Sequence, residues 1–345
     1  MGYAIKTSAL LACFQLIACD IGYYAHLAQG QAQIVWRTQQ TLDYRQGQGV
    51  PDSLKKQFVL VDSILQFAQQ IGLNSKNQYT TFYDTEGAPI SWNVSAAPQN
   101  SFTPYTWQFP IVGKVPYKGF FSRTRAEGEY DKLKSQGYDV LLRPVSAYST
   151  LGYLSDPLLS TMLSYPPHVL TDLILHELTH ATMYAKGYTD FNESVATFIG
   201  QEGTRQFLNN HYGEDSPYLQ SALEEKRDRD RFRFFLKDLT QTLDSLYQTS
   251  TNDPELLNKR KQVFNLAQNR FKETLPLYTN QGYAAFLHWE INNARLLSYR
   301  RYNSKQNVFH RIHNSLEGNL SQSVFLFSQC CKTEDPWKCL DSHDK

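Results

Sequence analysis

The stretch 173–203 reads LILHELTHATMYAKGYTDFNESVATFIGQEG and contains two histidines with a glutamate between them. His176 and His180 are four residues apart, so on a helix of about 3.6 residues per turn they lie on one face, one turn apart. Two neutral imidazoles at that spacing can both bind one zinc ion at about 2.0–2.1 Å. Glu177 is close enough to take a proton from a metal-bound water. The pattern predicts a zinc-binding helix that carries its own general base.

Glu193, thirteen residues after the second histidine, is the predicted third ligand. Gly187 is expected to end the first helix, and Thr189 or Asp190 to cap a second helix that starts near Phe191. Two helices joined by a tight turn bring the glutamate back to the histidines. The result is a two-histidine, one-glutamate zinc site with its fourth position open to water.

Other residues in the stretch keep alternatives open. Glu202 is the next acid and becomes the candidate ligand if Glu193 is not one. His168 lies eight residues before His176 and near the same helix face, so we interpret it as a neighbour of the site or a surface residue. The structural alternative to a metal site is a buried histidine pair beside a helix-start glutamate that favours the helix dipole.

Three further segments of the sequence resemble those of a known protein family. They read FPIVGKVPYKGFF (109–121), QGYDVLLRPVSAYSTLGYLSDPLLSTML (136–163) and INNARLLSY (291–299). Together with the metal stretch they resemble the bacterial putative aminopeptidase family. That resemblance implies an HExxH zinc metalloprotein, often lipid-anchored, whose peptidase activity is inferred from the motif.

The periodicity of the chain predicts an α+β fold that is predominantly α, with a small sheet packed against the HExxH helix as in zinc metallopeptidases generally (a zincin-like core). A long-helix part at about 215–330 is a candidate subdomain within one domain spanning 19–345. Apolar spacing and turn residues define the elements. The predicted helices are 21–36, which is amphipathic, 54–71, 123–136, 215–247, 255–274 and 283–301, and the predicted strands are 79–83, 106–112 and 138–145.

The segment after the last of these strands is a candidate part of the site. In HExxH enzymes generally, an edge strand above the metal helix binds the peptide backbone, and residues 139–148 are our candidate. Tyr148, or Tyr153, could donate a hydrogen bond to the oxyanion formed when a carbonyl is attacked. Arg295, in the last resembling segment, could bind a substrate carboxylate or support Glu193. A packing turn and a helix-to-helix tie are the structural alternatives.

The N-terminus predicts export and lipid attachment. Lys6 precedes an uncharged run of roughly a dozen residues, which is a secretory signal layout and too short to span a bilayer. Residues 16–19, LIAC, resemble a bacterial lipobox, so residues 1–18 would be removed and Cys19 lipidated. Asp20 resembles an inner-membrane retention signal. We expect a protein anchored in the cell envelope and facing the periplasm; an ordinary cleaved signal and a buried N-terminal helix are the alternatives.

The charge and cysteine content of the chain limit the classes of partner and the disulfide bonds that we expect. The net charge is +1 with both signs interspersed, which gives no electrostatic case for nucleic acid. Cys330, Cys331 and Cys339 lie near the C-terminus, and outside the cytoplasm a disulfide among them is expected, with the pairing open.

The expected function is zinc-dependent peptide hydrolysis, with peptide substrates and, from the resemblance, aminopeptidase activity. We find no second motif of the usual exopeptidase kind, so an endopeptidase stays open. An envelope lipoprotein that uses the same scaffold to bind or regulate a partner is the alternative from a different class. Oligomeric state is not predicted.

Overall fold

The computed structural model describes residues 21–47, 49–110, 112–145, 147, 150, 152, 154–249, 253–302 and 305–344. The predicted signal segment 1–18, Cys19, Tyr148 and Tyr153 lie outside these residues. Most of the described residues are helical, and the strands form small sheets. The predicted fold class, α+β and predominantly α, is confirmed. None of the helices in the described ranges combines the length and hydrophobicity needed to cross a bilayer.

The elements follow one another along the chain as helices and short strands. The α-helices are α1 (21–37), α2 (Thr41–Gln46), α3 (Asp52–Gln70), α4 (Arg123–Ser135), α5 (Pro167–Thr182), α6 (Thr189–Tyr212), α7 (Pro217–Thr249), α8 (Leu256–Thr274), α9 (Asn293–Tyr302), α10 (Gln306–Ser315), α11 (Leu320–Cys330) and α12 (Pro336–His343). Short 3-10 helices cover Met162–Ser164, Leu275–Leu277 and Gln281–His288. The strands are β1 (Gln39–Gln40), β2 (Thr81–Tyr83), β3 (Ser91–Pro98), β4 (Trp107–Phe109), β5 (Gly113–Val115), β6 (Lys118–Phe120), β7 (Tyr138–Val145) and β8 (Leu158–Leu159).

The main sheet has the order β6-β3-β7 and is antiparallel throughout. Strand β3 pairs with β7 along its whole length, from Ser91 opposite Val145 to Pro98 opposite Tyr138. Strand β7, predicted at its observed bounds, is therefore an edge strand of this sheet. The central strand β3 is absent from our prediction, because its sequence SWNVSAAP has only one β-branched residue, Val94, among Asn, Ala and Pro residues that are depleted in strands.

Helices α5 and α6 pack against each other more closely than ordinary side chains permit. A Cβ atom at Gly200 would lie 2.4 Å from Asp172 Oδ1 and 3.0 Å from Asp172 O. One at Gly203 would lie 2.7 Å from Leu175 Cδ1. Asp172 cannot swing aside freely, because its other carboxylate oxygen accepts a hydrogen bond from Arg229 Nη1 at 2.8 Å. Two glycines on α6 thus set the separation of the helix pair.

The larger hydrophobic core surrounds this helix pair, which supplies Ile174, Leu175, Phe191 and Phe198 from its two facing sides. Burial of apolar surface is the main term that stabilises such a core, at about 1.5–3 kcal/mol for each large side chain removed from water. A second core lies between α7, α8 and the segment 281–296, with Phe232, Phe271 and Phe286 at its centre. The predicted helical part 215–330 is divided between them, because α10 and α11 contribute to the larger core.

The predicted single helix 283–301 is wrong, because the chain is interrupted between two separate helices. The chain forms a 3-10 helix at Gln281–His288, is extended at Trp289, and starts α9 at Asn293. The Asn292 side chain ends the break, since its Oδ1 accepts a hydrogen bond from Arg295 N at 2.9 Å. Trp289 packs on Phe232 and Phe286, and this tertiary contact outweighs the local helix propensity.

A disulfide bond joins α11 to α12, and a carboxylate on α6 contacts α10. Cys330 and Cys339 form a disulfide bond, and Cys331 is a buried free cysteine. Glu202 on α6 accepts hydrogen bonds from Arg205 and Gln206 and lies 3.5 Å from His313 Nε2 on α10. Burial opposes ionisation of Glu202, but these hydrogen bonds outweigh it and lower the pKa of its carboxyl to about 2.

The glycine contact predicts a specific mutational pattern. Gly200→Ala should destabilise the fold by about 2 kcal/mol, because the new methyl group overlaps a carboxylate that is held in place. Gly128 is the matched control, because it is an exposed helical glycine on α4 and an added Cβ would have nothing within 4 Å. Gly128→Ala should stabilise by about 0.5–1 kcal/mol through helix propensity alone. Urea denaturation measures both; equal effects of the two changes would contradict the packing argument.

The Glu202 contacts predict a pH dependence. A carboxyl whose pKa falls from its ordinary 4.5 to about 2 in the folded protein contributes stability that is complete above about pH 4.5 and is lost as the pH falls towards 2. Glu202→Gln should therefore cost about 2 kcal/mol at pH 7, and the difference from wild type should shrink below about pH 4.5. The control is Glu86→Gln, which removes an exposed ion pair with Arg37 and should change stability by less than about 0.5 kcal/mol. A pH-independent loss in Glu202→Gln would contradict the assignment.

Candidate metal centre

The structure brings His176, His180 and Glu193 together as the sequence predicts. The histidine Nε2 atoms are 3.2 Å apart. Glu193 Oε2 lies 3.5 Å from His176 Nε2 and 3.7 Å from His180 Nε2. Both histidines come from α5 and the glutamate from α6, so the group exists only because these helices are in register. All three side chains are largely removed from solvent.

The turn between the helices fixes that register. Helix α5 ends at Thr182, earlier than Gly187, which lies within the turn at φ +85°. The side chain of Asn192 accepts a hydrogen bond from Ala185 N at 2.8 Å and donates one to Ala185 O at 2.9 Å. These two hydrogen bonds connect the loop between the helices to the first turn of α6, next to Glu193.

The expected N-cap is wrong in detail. Helix α6 begins at Thr189, its N-cap position is Tyr188, and no side chain caps it there. Thr189 Oγ1 is buried and has no hydrogen-bond partner within the described parts of the chain. The amide of Asn192 stabilises this end of α6 in place of a capping hydroxyl, because it satisfies backbone groups of the preceding turn.

The three donor atoms fit a single small cation. Donors at about 2.0–2.1 Å from a tetrahedral ion lie about 3.3–3.4 Å apart, close to the separations of 3.2, 3.5 and 3.7 Å found here. Two imidazole nitrogens and one carboxylate oxygen are also a donor set that divalent zinc accepts. A stable buried pair of histidines would not by itself require a third donor on another helix at this distance.

Electrostatic interactions among the three side chains favour the charged forms of Glu193 and His176. Burial opposes ionisation of Glu193, but hydrogen bonds to both histidines and their charges outweigh it, and the pKa of its carboxyl lies well below the usual value. Burial lowers the pKa of His176, but Glu193, Glu177 and Asp172 together raise it above its ordinary value. The carboxylates of Glu193, Glu177 and Asp172 therefore all attract positive charge at His176, and the same carboxylates would attract a cation.

A cavity of about 330 Å³ opens onto this group. Glu177, half-buried, lies in its wall together with Arg143 and Val145 of β7. Helix α1 closes another side with Tyr23 and Leu27. The other described residues in the wall are Ser91, Asn93, Tyr117, Gly119, Phe120, Phe121, Ala147, Tyr184, Thr189 and Asn192.

Other predicted residues lie apart from this cavity or outside the described residues. Arg295 stacks on Trp289, with its guanidinium carbon 4.9 Å from the ring centroid, and is not among the described residues of the cavity wall. His168 Nε2 lies 3.3 Å from Glu225 and faces α7. Glu202 binds α10 as described above. Tyr148 and Tyr153 lie outside the described residues, so their proposed role stays a prediction.

Sequence reasoning missed several wall residues. Tyr117 lies within the resembling segment 109–121 and Tyr184 within the metal stretch, so each carried a positional signal that the search for ligands did not use. Asn192 was adjacent to the predicted ligand. For Tyr23 and Leu27 the sequence offered only the amphipathic pattern of 21–36, which does not identify the packing partner of that helix, because the contact joins α1 to a strand almost a hundred residues later.

The comparisons with known proteins agree with this geometry at the level of the family. No curated protein and no solved structure matches the chain at a significant level. The family described as Aminopep, putative aminopeptidase, matches residues 22–333, a range that contains the metal group, the described cavity wall and the buried residues of both hydrophobic cores except Leu340. The chain therefore belongs to the putative aminopeptidase family.

Proposed function

We propose that this protein is a zinc-dependent peptidase of the bacterial cell envelope, with a zincin-like arrangement of sheet and metal helix. The observation that carries the proposal is the convergence of His176, His180 and Glu193 in a cavity that also contains Glu177. Membership of a family described as aminopeptidases supports peptide hydrolysis as the reaction. The two histidines and Glu193 would hold the ion and leave one coordination position open.

The bound zinc would supply two effects, a lowered pKa for a water molecule and polarisation of the scissile carbonyl. Glu177 would accept the proton of that water and later pass it to the leaving amine. Its position supports this role: it follows a ligand directly in sequence, lines the cavity, and is not one of the three converging donors. Its charge also reaches buried Tyr79, whose pKa is raised first by burial and then by Glu177 and Asp156.

Strand β7 is a suitable surface for the peptide backbone. The carbonyl of Val140 accepts a hydrogen bond from Asn292 Nδ2 at 3.1 Å, so it points away from the sheet. With a period of two, Leu142 and Pro144 direct their backbone groups to the same outer side, and proline is tolerated at such an edge. A peptide that adds to this edge would extend beside Arg143 and Val145 and so reach the cavity.

Aminopeptidase specificity is the finer part of the proposal and rests on the family description. An aminopeptidase must bind the α-ammonium group of its substrate through anionic or carbonyl groups. Among the described residues of the wall, the acids are Glu177 and Glu193. Glu177 is already assigned as the proton acceptor and Glu193 as a zinc ligand, so neither is assigned to the α-ammonium group. Substrate tests must therefore compare peptides with free and with blocked N-termini.

The proposed location rests on the sequence of the N-terminus and on the cysteines. Cys19 would carry the lipid after removal of residues 1–18, and the protein would face the periplasm. The Cys330–Cys339 disulfide supports this location, because disulfides persist in oxidising compartments.

Metal content tests the ligand set. Chain 19–345 with Cys19→Ser should contain about one zinc per molecule after reconstitution, and Glu193→Gln should lose most of it, because a neutral amide replaces an anionic ligand. Glu202→Gln, nine residues further along α6, is the matched control and should keep its zinc. Elemental analysis after gel filtration measures both. Wild type without metal would overturn the zinc proposal, and zinc retained by Glu193→Gln would remove Glu193 from the ligand set.

Turnover tests the general base. Glu177→Gln should keep its zinc and lose at least about a thousandfold in kcat, since the proton acceptor is gone while the donor set is intact. The substrates should be a peptide library in two forms, with free and with acetylated N-termini. Cleavage of the free form alone by wild type supports an aminopeptidase, and cleavage of both supports an endopeptidase. A zinc-loaded Glu177→Gln protein with wild-type turnover would exclude the assigned role.

A further inference from the structure

We propose that the outer face of helix α1 docks on the surface of a lipid bilayer. This face consists of Ile21, Tyr24, Ala25, Ala28, Ala32, Val35 and Trp36, all exposed. Such docking is separate from peptide hydrolysis and would determine where the site lies relative to the membrane. The choice of a bilayer as the partner rests in part on the proposed lipid anchor at Cys19, but the experiment below does not require the anchor.

The exposure of this face is unusual for large apolar side chains. Trp36 is 89% exposed, Ile21 63% and Val35 59%. At 100° per residue, the seven residues lie within about 120° of the helix circumference, so they form one continuous stripe along the axis. Residues 21–36 contain no Asp, Glu, Lys or Arg. A continuous exposed apolar surface without charge marks an interaction site.

The opposite face of α1 is firmly packed, so the stripe cannot be buried by turning the helix. Tyr23 OH donates a hydrogen bond to Gly119 O at 2.9 Å, and His26 Nε2 accepts one from Phe121 N at 3.2 Å. Gly30 lies so close to Phe121 that an added Cβ would overlap its ring. The outer stripe is therefore a fixed surface of the folded protein.

The ends of the helix carry groups suited to a headgroup region. Arg37, with an exposed side chain, follows Trp36 directly, and Arg125 of α4 donates a hydrogen bond to Gly22 O at the other end. Tryptophan and arginine are favoured at the level of lipid headgroups, with the apolar stripe of an amphipathic helix lying slightly deeper.

A bilayer suits this stripe better than a second copy of the chain or another protein. Cys19, the proposed lipid attachment site, precedes Ile21 by two residues, so an acyl chain in the bilayer would hold the start of the stripe against the same surface. The stripe is also shallow, since three of its seven members are alanines, and it is bordered by the polar Gln29 and Gln33. These features match a helix that lies in the interface plane.

Docking would place the metal cavity close to the membrane. Tyr23 and Leu27, which line the cavity, are on the side of α1 that faces away from the stripe. One helix diameter, about 10 Å, would then separate the cavity wall from the lipid surface. Peptide segments held near the membrane would have the shortest path to the site.

Vesicle binding tests the proposal without the lipid. Chain 19–345 with Cys19→Ser should co-sediment with sucrose-loaded vesicles of phosphatidylethanolamine and phosphatidylglycerol. The double variant Val35→Gln with Trp36→Gln should bind about tenfold more weakly, because two large apolar groups are removed without any change of charge. The matched control is Leu266→Gln with Phe325→Gln on α8 and α11, whose exposures of 63% and 67% are comparable. Binding of the control should equal that of wild type.

Three outcomes would overturn the proposal. Wild type could fail to sediment with vesicles, the control pair could weaken binding as much as the α1 pair, or light scattering could show a dimer that only the α1 pair dissociates. The last result would assign the stripe to a second copy of the chain. Far-UV circular dichroism and urea denaturation of every variant show whether the fold is retained. Neither measurement depends on bound zinc, which keeps this test separate from that of the peptidase.

Discussion

The close approach of α5 and α6 at Gly200 is the constraint on which the rest of the site depends. Because Gly200 has no Cβ, Asp172 and the backbone of α5 can lie against α6, with the position of an added Cβ also 3.5 Å from His176 Cβ. The donors of the metal group come from both helices, so a shift of a few tenths of an ångström at this contact changes the separations between imidazole and carboxylate. Interiors packed at crystal-like density transmit such shifts instead of absorbing them.

Side chains that never touch the donors hold this arrangement in place. Asn192 ties the turn, Arg229 holds Asp172, and Ser194 Oγ donates a hydrogen bond to Arg301 O at 3.2 Å, which connects α6 to α9. Each is a polar contact within or at the edge of the larger core, where a lost partner leaves a buried group unsatisfied. The metal group is thus supported by hydrogen bonds on both sides of the glycine contact.

The parts of the fold that the sequence predicts correctly are those with local causes. The histidine spacing, the helix that ends before Gly137 and the strand 138–145 follow from periodicity and turn residues within short windows. Strand β3 and the break at Trp289 depend on tertiary partners, and propensity could not supply them. The same distinction holds at the site. The position of Glu193 beside the histidines was predictable from the spacing within one short stretch, whereas the contribution of Tyr23 to the cavity wall depends on a contact across 96 residues.

That long contact gives the site an order of assembly. The three donors are within eighteen residues of one another, so they can meet as soon as one helical hairpin forms. The wall made by α1 requires loops of 95 and 96 residues to close onto Phe121 and Gly119, and contacts of such high sequence separation form slowly. A newly synthesised chain would consequently bring these three side chains together before it acquires a closed cavity. During that interval the three side chains would be open to solvent on the side that α1 later covers.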